Sequence, residues 1–193
     1  MPNVSEATIL IVATDGFEEW ELFGPKKMLE ERGATVVLAS LTLDPIQATR
    51  HDDPGRTIRP DLTVDQARAD DFDALILPGG VRNPDALRLS ANVIALIKAF
   101  ADRGKPVGAI CHGPWLLVEA DLLRGRTATS WPSIRTDLRN AGADVVDEPA
   151  VTDGNIVTSR NPDDVKPFTR ALVALIENVP TVEQGPRAAE MPA

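Results

Sequence analysis

A single cysteine, Cys111, and only two histidines, His51 and His112, occur in the 193 residues. One thiol cannot form an internal disulfide, so a disulfide-stapled secreted fold is excluded and a reducing compartment is expected. Basic residues are scarce as well: 20 Lys and Arg stand against 29 Asp and Glu, a net charge of −9. With no basic cluster to offset that balance, a general grip on nucleic-acid phosphates is excluded. Apolar runs are short. Thr8–Ala13, at six residues, is far from the length that crosses a bilayer. The first residues lack the basic region of a secretory signal. These absences predict a cytoplasmic protein with neither a membrane nor a nucleic-acid partner. No repeat, low-complexity tract or linker divides the chain. One domain over residues 1–179 is expected, followed by a polar, poorly ordered tail over 180–193.

What is present alternates between two periods. Thr8–Ala13, Thr35–Ser40, Asp73–Leu77 and Pro106–Ile110 are short continuous apolar runs, the pattern of strands buried on both faces of a parallel sheet. Glu18–Arg32, Ser90–Arg103, Pro114 to about Ala120, Pro132–Ala141 and Asp163–Asn178 read as helices. Val93, Ile94, Ile97 and Phe100 share one helical face, and Val165, Phe168, Leu172 and Ile176 share another. Pro25 falls inside the first helix and predicts a kink or a delayed start. Leu41–Pro60 is rich in Asp, Pro and Gly and predicts loops or short edge strands. Asp144–Val146 and Asn155–Ser159 read as strands, with Asp153-Gly154 as a turn. Strands alternating with helices give an α/β fold, mostly parallel, with helices on both faces.

The most informative junction is Val107-Gly108-Ala109-Ile110-Cys111-His112-Gly113-Pro114. A strand running directly into a helix through a reactive side chain is a nucleophile elbow, and such a turn needs small neighbours. Gly108, Ala109 and Gly113 supply them, and Pro114 suits the first helical position. Cys111 would then face a helix N-terminus, where free N–H groups favour the thiolate. Pro78-Gly79-Gly80 closes another strand at its carboxyl end, where open α/β sheets bind ligands. The N–H groups of Gly80 and His112 together could form an oxyanion hole. Buried filler for the cysteine, and a plain glycine turn for Gly79-Gly80, are the competing structural readings. Asp15 and Glu18 have capping-box spacing, which gives Glu18 a structural alternative too. Trp20 and Trp131 read as core or interface packing.

Four segments resemble the ThiJ/PfpI family of the class I glutamine amidotransferase-like superfamily, and most closely its PfpI-like bacterial general stress proteins. They are Asp15-Gly16-Phe17-Glu18-Glu19-Trp20-Glu21, Leu77-Pro78-Gly79-Gly80, Ala109–Pro114 and Thr158–Asp164, in the family's order. The resemblance implies a flavodoxin-like three-layer sandwich and a homodimer, possibly a higher oligomer. It places the nucleophile on Cys111, the adjacent histidine on His112 and a glutamate bonded to the sulfur on Glu18. Asp85 would be the acid that a neighbouring subunit offers to His112. Gly79 and Trp115 would line the pocket, Trp115 standing where relatives commonly carry Gln.

The activity so implied is glyoxalase-like or deglycase-like, on methylglyoxal or glycated amines, without a cofactor or metal. An intracellular cysteine peptidase is one alternative. A stress sensor or chaperone working through oxidation of Cys111 is the other. A glutamine amidotransferase is excluded, since no histidine follows His112 to complete a triad. His51, His112 and Cys111 lack the spacing of a zinc site.

Overall fold

A computed structural model describes residues 3–51 and 53–178. The expected tail over 180–193 lies outside them. Among the described residues twelve strands occur in chain order: β1 Thr8–Val12, β2 Phe17–Glu18, β3 Thr35–Ser40, β4 Ile46–Arg50, β5 Asp53–Ile58, β6 Leu62–Thr63, β7 Ala74–Leu77, β8 Val107–Ile110, β9 Thr127–Ala128, β10 Asp144–Val145, β11 Ala150–Asp153 and β12 Ile156–Ser159. Six helices separate them: α1 Glu19–Glu30, α2 Arg82–Leu87, α3 Ala91–Asp102, α4 Pro114–Glu119, α5 Arg135–Asn140 and α6 Val165–Asn178.

Seven strands form the central sheet in the order β11-β12-β8-β7-β1-β3-β6, parallel except for β11 at one edge. The apolar runs alternate across it. Ile9 and Ile11 face a layer built from α1 and α6, including Leu22, Leu29, Phe168 and Leu172. Leu10, Val12, Leu75 and Leu77 face α3, α4 and α5 through Val93, Phe100, Leu116 and Leu138. Helices on both faces of a parallel sheet make this the flavodoxin-like sandwich that the alternation of periods implied.

Two details differ from the sequence reading and bear on the site. Glu18 is not in a helix: it ends β2, paired with Thr49 of β4, and α1 begins one residue later. Nor does a capping box form there. Asp15 Oδ1 instead accepts from the N–H of Gln47 at 2.7 Å, tying the β1–β2 turn to β4. The Asp- and Gly-rich stretch after β3 folds as an antiparallel hairpin, β4–β5, and β2 joins it as a third strand. That small sheet hangs beside the carboxyl ends of β1, β7 and β8. Its attachment is ionic: buried Glu19 accepts from Arg50 Nη2 at 2.9 Å, Arg56 Nε at 3.1 Å and the Arg56 N–H at 2.6 Å.

The inner layer depends on side chains such as Phe168, which is fully buried and packs on the backbone of Gly108, in the strand that runs into the elbow. Phe168→Ala is expected to lower unfolding free energy by about 3–5 kcal/mol, whereas Leu89→Ala, at an 85% exposed position, should change it by less than about 0.5 kcal/mol. Urea unfolding followed by circular dichroism checks both.

Candidate active site

Parallel strands deliver their carboxyl ends to one rim, and the loops there form the site. At the end of β8, Cys111 has φ of 62°, a left-handed conformation that costs a non-glycine residue about 1–3 kcal/mol. Its backbone is held from both sides. The Cys111 N–H donates to Ser159 O at 3.0 Å, and its carbonyl accepts from the Trp131 N–H at 2.9 Å. Gly113 N–H closes the turn on Ile110 O at 2.8 Å. The elbow expected from sequence is therefore present, and α4 begins at Pro114 directly after it.

The sulfur meets three kinds of partner. The backbone N–H groups of Gly80 and His112 point at it. Gly80 reaches this position with φ of 76°, which glycine adopts without penalty. His112 Nδ1 is 3.3 Å from the sulfur, and its Nε2 is 3.4 Å from Ser133 Oγ. The imidazole stacks on Trp131, with ring centroids 6.0 Å apart, and burial holds its pKa below the ordinary value, so it is neutral at pH 7.

The third partner corrects the sequence reading: the carboxyl beside the sulfur belongs to Glu21, not Glu18. Glu21 has no exposed surface. Its Oε2 accepts from the Gly79 N–H at 2.8 Å. Its Oε1 is buried with no hydrogen-bond partner among the described residues, and the carboxyl lies beside the Cys111 side chain. Burial raises the Glu21 pKa to about 8. Protonation leaves that unpaired oxygen as an O–H that can turn toward the sulfur. Glu18, by contrast, turns its Oε2 to the N–H of His51 at 3.0 Å. Glu18 follows strand geometry while Glu21 lies within the first turn of α1, so the two acids leave the segment in different directions.

Burial and the neighbouring Glu21 push the Cys111 thiol upward, and the two N–H groups pull it down. Short α4 does not by itself produce the depressed thiol expected at a helix N-terminus. Cys111 and Glu21 act instead as one coupled group. Its first proton leaves at about pH 8, from the Glu21 carboxyl, while burial and Glu21 hold the thiol above its ordinary range.

Glu18, Glu21, His51, Gly80, Val81, Cys111, His112, Trp131, Ser133 and Pro162 enclose a cavity of about 330 Å³. Sequence reasoning missed His51, Ser133 and Trp131 as cavity residues. His51 arrives at the tip of the β4–β5 hairpin with φ of 55°, a placement that pairing of distant strands alone decides. Two expected lining residues are elsewhere. Trp115 is edge-on behind His112, donates from Nε1 to Asp137 Oδ2 at 2.8 Å, and faces a separate surface groove with Arg88. Gly79 lies beneath the cavity floor; a Cβ there would come within 2.6 Å of both Cys111 Cβ and Glu21 Oε2. Asp85 is exposed on α2 and lines no part of the cavity. His51, His112 and Cys111 share the cavity, yet no metal-holding group of three or more such side chains occurs among the described residues.

Glu21→Gln removes the acidic proton from the pair and leaves a weaker, neutral donor. Alkylation of Cys111 by iodoacetamide at pH 7.5 should slow about tenfold, the worth of one charge-assisted hydrogen bond, measured by intact mass. Stability supplies an independent check. A carboxyl whose folded pKa is about 8 rather than 4.5 favours the folded state below pH 4.5 and loses that advantage as pH rises to about 8. Glu21→Gln should therefore gain stability relative to the parent between pH 5 and 8, by a few kcal/mol, in urea titrations.

The DJ-1/PfpI family model matches residues 7–175. Deglycase PfpI of Pyrococcus furiosus is 40% identical over 169 residues, spanning 88% of this chain and 99% of that one. General stress protein 18 of Bacillus subtilis is 41% identical over 170 residues, spanning 88% and 97%. Among solved structures, DJ-1beta of Drosophila melanogaster superposes with a TM-score of 0.80 at 28% identity, covering 90% of this chain and 95% of that one. No helix among the described residues is long and apolar enough to cross a membrane. Sequence, fold and elbow together place this chain in the DJ-1/PfpI family.

Proposed function

We propose that the protein is a cysteine-dependent enzyme of the deglycase or glyoxalase type, acting on 2-oxoaldehydes such as methylglyoxal or on their adducts with amines. The observation that carries the reading is the sulfur of Cys111, held in a left-handed turn between two N–H donors and the buried Glu21 carboxyl. Relatives that are named deglycases, at 40–43% identity, support the same class. A cavity of about 330 Å³ suits a substrate of a few heavy atoms better than a length of peptide chain.

The chemistry balances without an outside oxidant. In a carbinolamine adduct the thiolate attacks the carbon that bears nitrogen and hydroxyl, and the C–N bond breaks. Glu21 supplies the proton that the leaving amine takes. The hemithioacetal so formed passes a proton from the former aldehyde carbon to the adjacent ketone carbon. Neutral His112 is the base for that transfer. One carbon is oxidised by two electrons and its neighbour reduced by two, leaving a thioester of a 2-hydroxy acid. Water hydrolyses the thioester and restores the thiol. The N–H groups of Gly80 and His112 stabilise negative charge at the reacting centre.

A peptidase would need Asp85 of a second protomer to orient His112. Within one protomer Ser133 already stands at 3.4 Å from Nε2, so the deglycase reading needs no partner residue. We place the enzyme in the cytoplasm and expect a dimer in solution.

Cys111→Ser should abolish formation of the 2-hydroxy acid from methylglyoxal and from methylglyoxal-treated N-acetylarginine, followed by enzymatic assay of the product acid. Full activity in that variant, or peptide hydrolysis by the parent with no acid formed, would exclude this function.

A further inference from the structure

Two consecutive peptide groups make the turn after β7, and each has one end in the site. The Gly79 N–H donates to Glu21 Oε2 at 2.8 Å, and the Gly80 N–H points at the Cys111 sulfur. No cis peptide occurs among the described residues, so the carbonyls of the same two groups, Pro78 O and Gly79 O, point the opposite way. On that far side stands Asn83, the second residue of α2, with no exposed surface. Its Nδ2 donates to Pro78 O at 2.9 Å and to Gly79 O at 3.1 Å. Its Oδ1 accepts from the Thr14 N–H at 2.8 Å, which ties the turn to the loop after β1. One carboxamide thus holds the back of both peptides whose fronts meet Glu21 and Cys111.

A pair of glycines is a weak support for such an arrangement. With no Cβ, rotation about the flanking bonds exchanges the N–H and C=O ends of a peptide at little steric cost. After that exchange a carbonyl oxygen would face the carboxyl or the sulfur, where a donor is required. Asn83 opposes the exchange, because a turned peptide would set its N–H against the Nδ2 donors and leave both buried without acceptors. Gly79 O also accepts from the Glu18 N–H, at the longer distance of 3.3 Å. That contact restrains one plane, whereas the carboxamide restrains both. We propose that Asn83 is a positioning residue of the site: it locks the Pro78–Gly79 and Gly79–Gly80 peptides so that their N–H groups stay aimed at Glu21 and Cys111. The inference rests on the enzymatic reading above in taking Cys111 as the reacting group. It adds a residue that lines no part of the cavity.

Alkylation and NMR separate positioning from plain stability. Asn83→Ala frees both planes. Its rate with iodoacetamide at Cys111, at pH 7.5, should fall about tenfold, the worth of one charge-assisted hydrogen bond to the sulfur. With the Gly79 donor no longer fixed, the carboxylate form of Glu21 is less favoured, and its carbon-13 titration should move upward from about 8. Leu87→Ala is the control. Leu87 is also fully buried on α2, so this variant loses packing of the same helix but keeps the carboxamide, and both readouts should match the parent's. Unchanged rate and titration in folded Asn83→Ala, or equal shifts in Leu87→Ala, would overturn the inference. The parent protein supplies a further readout that needs no variant to fold. The Nδ2 protons of Asn83 should exchange with solvent far more slowly than those of exposed Asn140, and equal rates would overturn the inference as well. If Cys111 of the parent resists iodoacetamide, the enzymatic reading falls, while the Glu21 titration and the amide exchange still decide the part played by Asn83.

Discussion

A carboxyl group with no exposed surface, set against a thiol in the same pocket, cannot have both groups ionised. Removing two like charges from water at contact distance is too costly in a protein interior. One proton must stay between Glu21 and Cys111, and most of the site follows from that constraint. Gly79 takes one carboxyl oxygen through its N–H. The other oxygen is left for the sulfur. Gly80 and His112 direct their N–H groups at the same atom, which offsets part of the cost of ionising the thiol. The glycines are required because a Cβ at position 79 would collide with both members of the pair.

Three acids within four residues divide the work of holding this arrangement. Glu18 ends a strand and fixes His51 at the hairpin tip. Glu19 clamps the hairpin through Arg50 and Arg56. Glu21 enters the pocket from the buried side of α1, on the stripe that includes Gly24 and Pro25. The scaffold beneath is ordinary by comparison. Two apolar layers hold a parallel sheet, and β8 and β12 pair up to the last residue before the elbow. Rigid pairing on both sides is what sustains a left-handed cysteine.

Much of this was legible in the sequence, for physical reasons that can be named. Continuous apolar runs alternating with amphipathic segments specify a doubly covered sheet. The small residues around Cys111 specify an elbow, because few other side chains permit that turn. The choice between Glu18 and Glu21 was harder, since it depends on where a two-residue strand yields to a helix. A shift of one residue there redirects every following side chain. One signal was available: Glu21 shares a helical face with Gly24 and Pro25, both buried, and an acid on a buried face calls for a partner. Trp115 was misplaced because the second residue of the six-residue α4 turns its side chain away from the cavity, toward Arg88 and Asp137. His51 and Ser133 could not be found from local pattern. Pairing of β4 with β2 brings one to the cavity, and the turn before α5 brings the other.

The shared proton is open to direct observation. Carbon-13 NMR of glutamate carboxyls, with Glu21→Gln to assign the resonance, reports the ionisation of that one group across pH. Glu21 should remain protonated at pH 7 and titrate at about 8. A Glu21 resonance that titrates in the ordinary carboxylate range, fully ionised at neutral pH beside an unchanged thiol, would contradict the account.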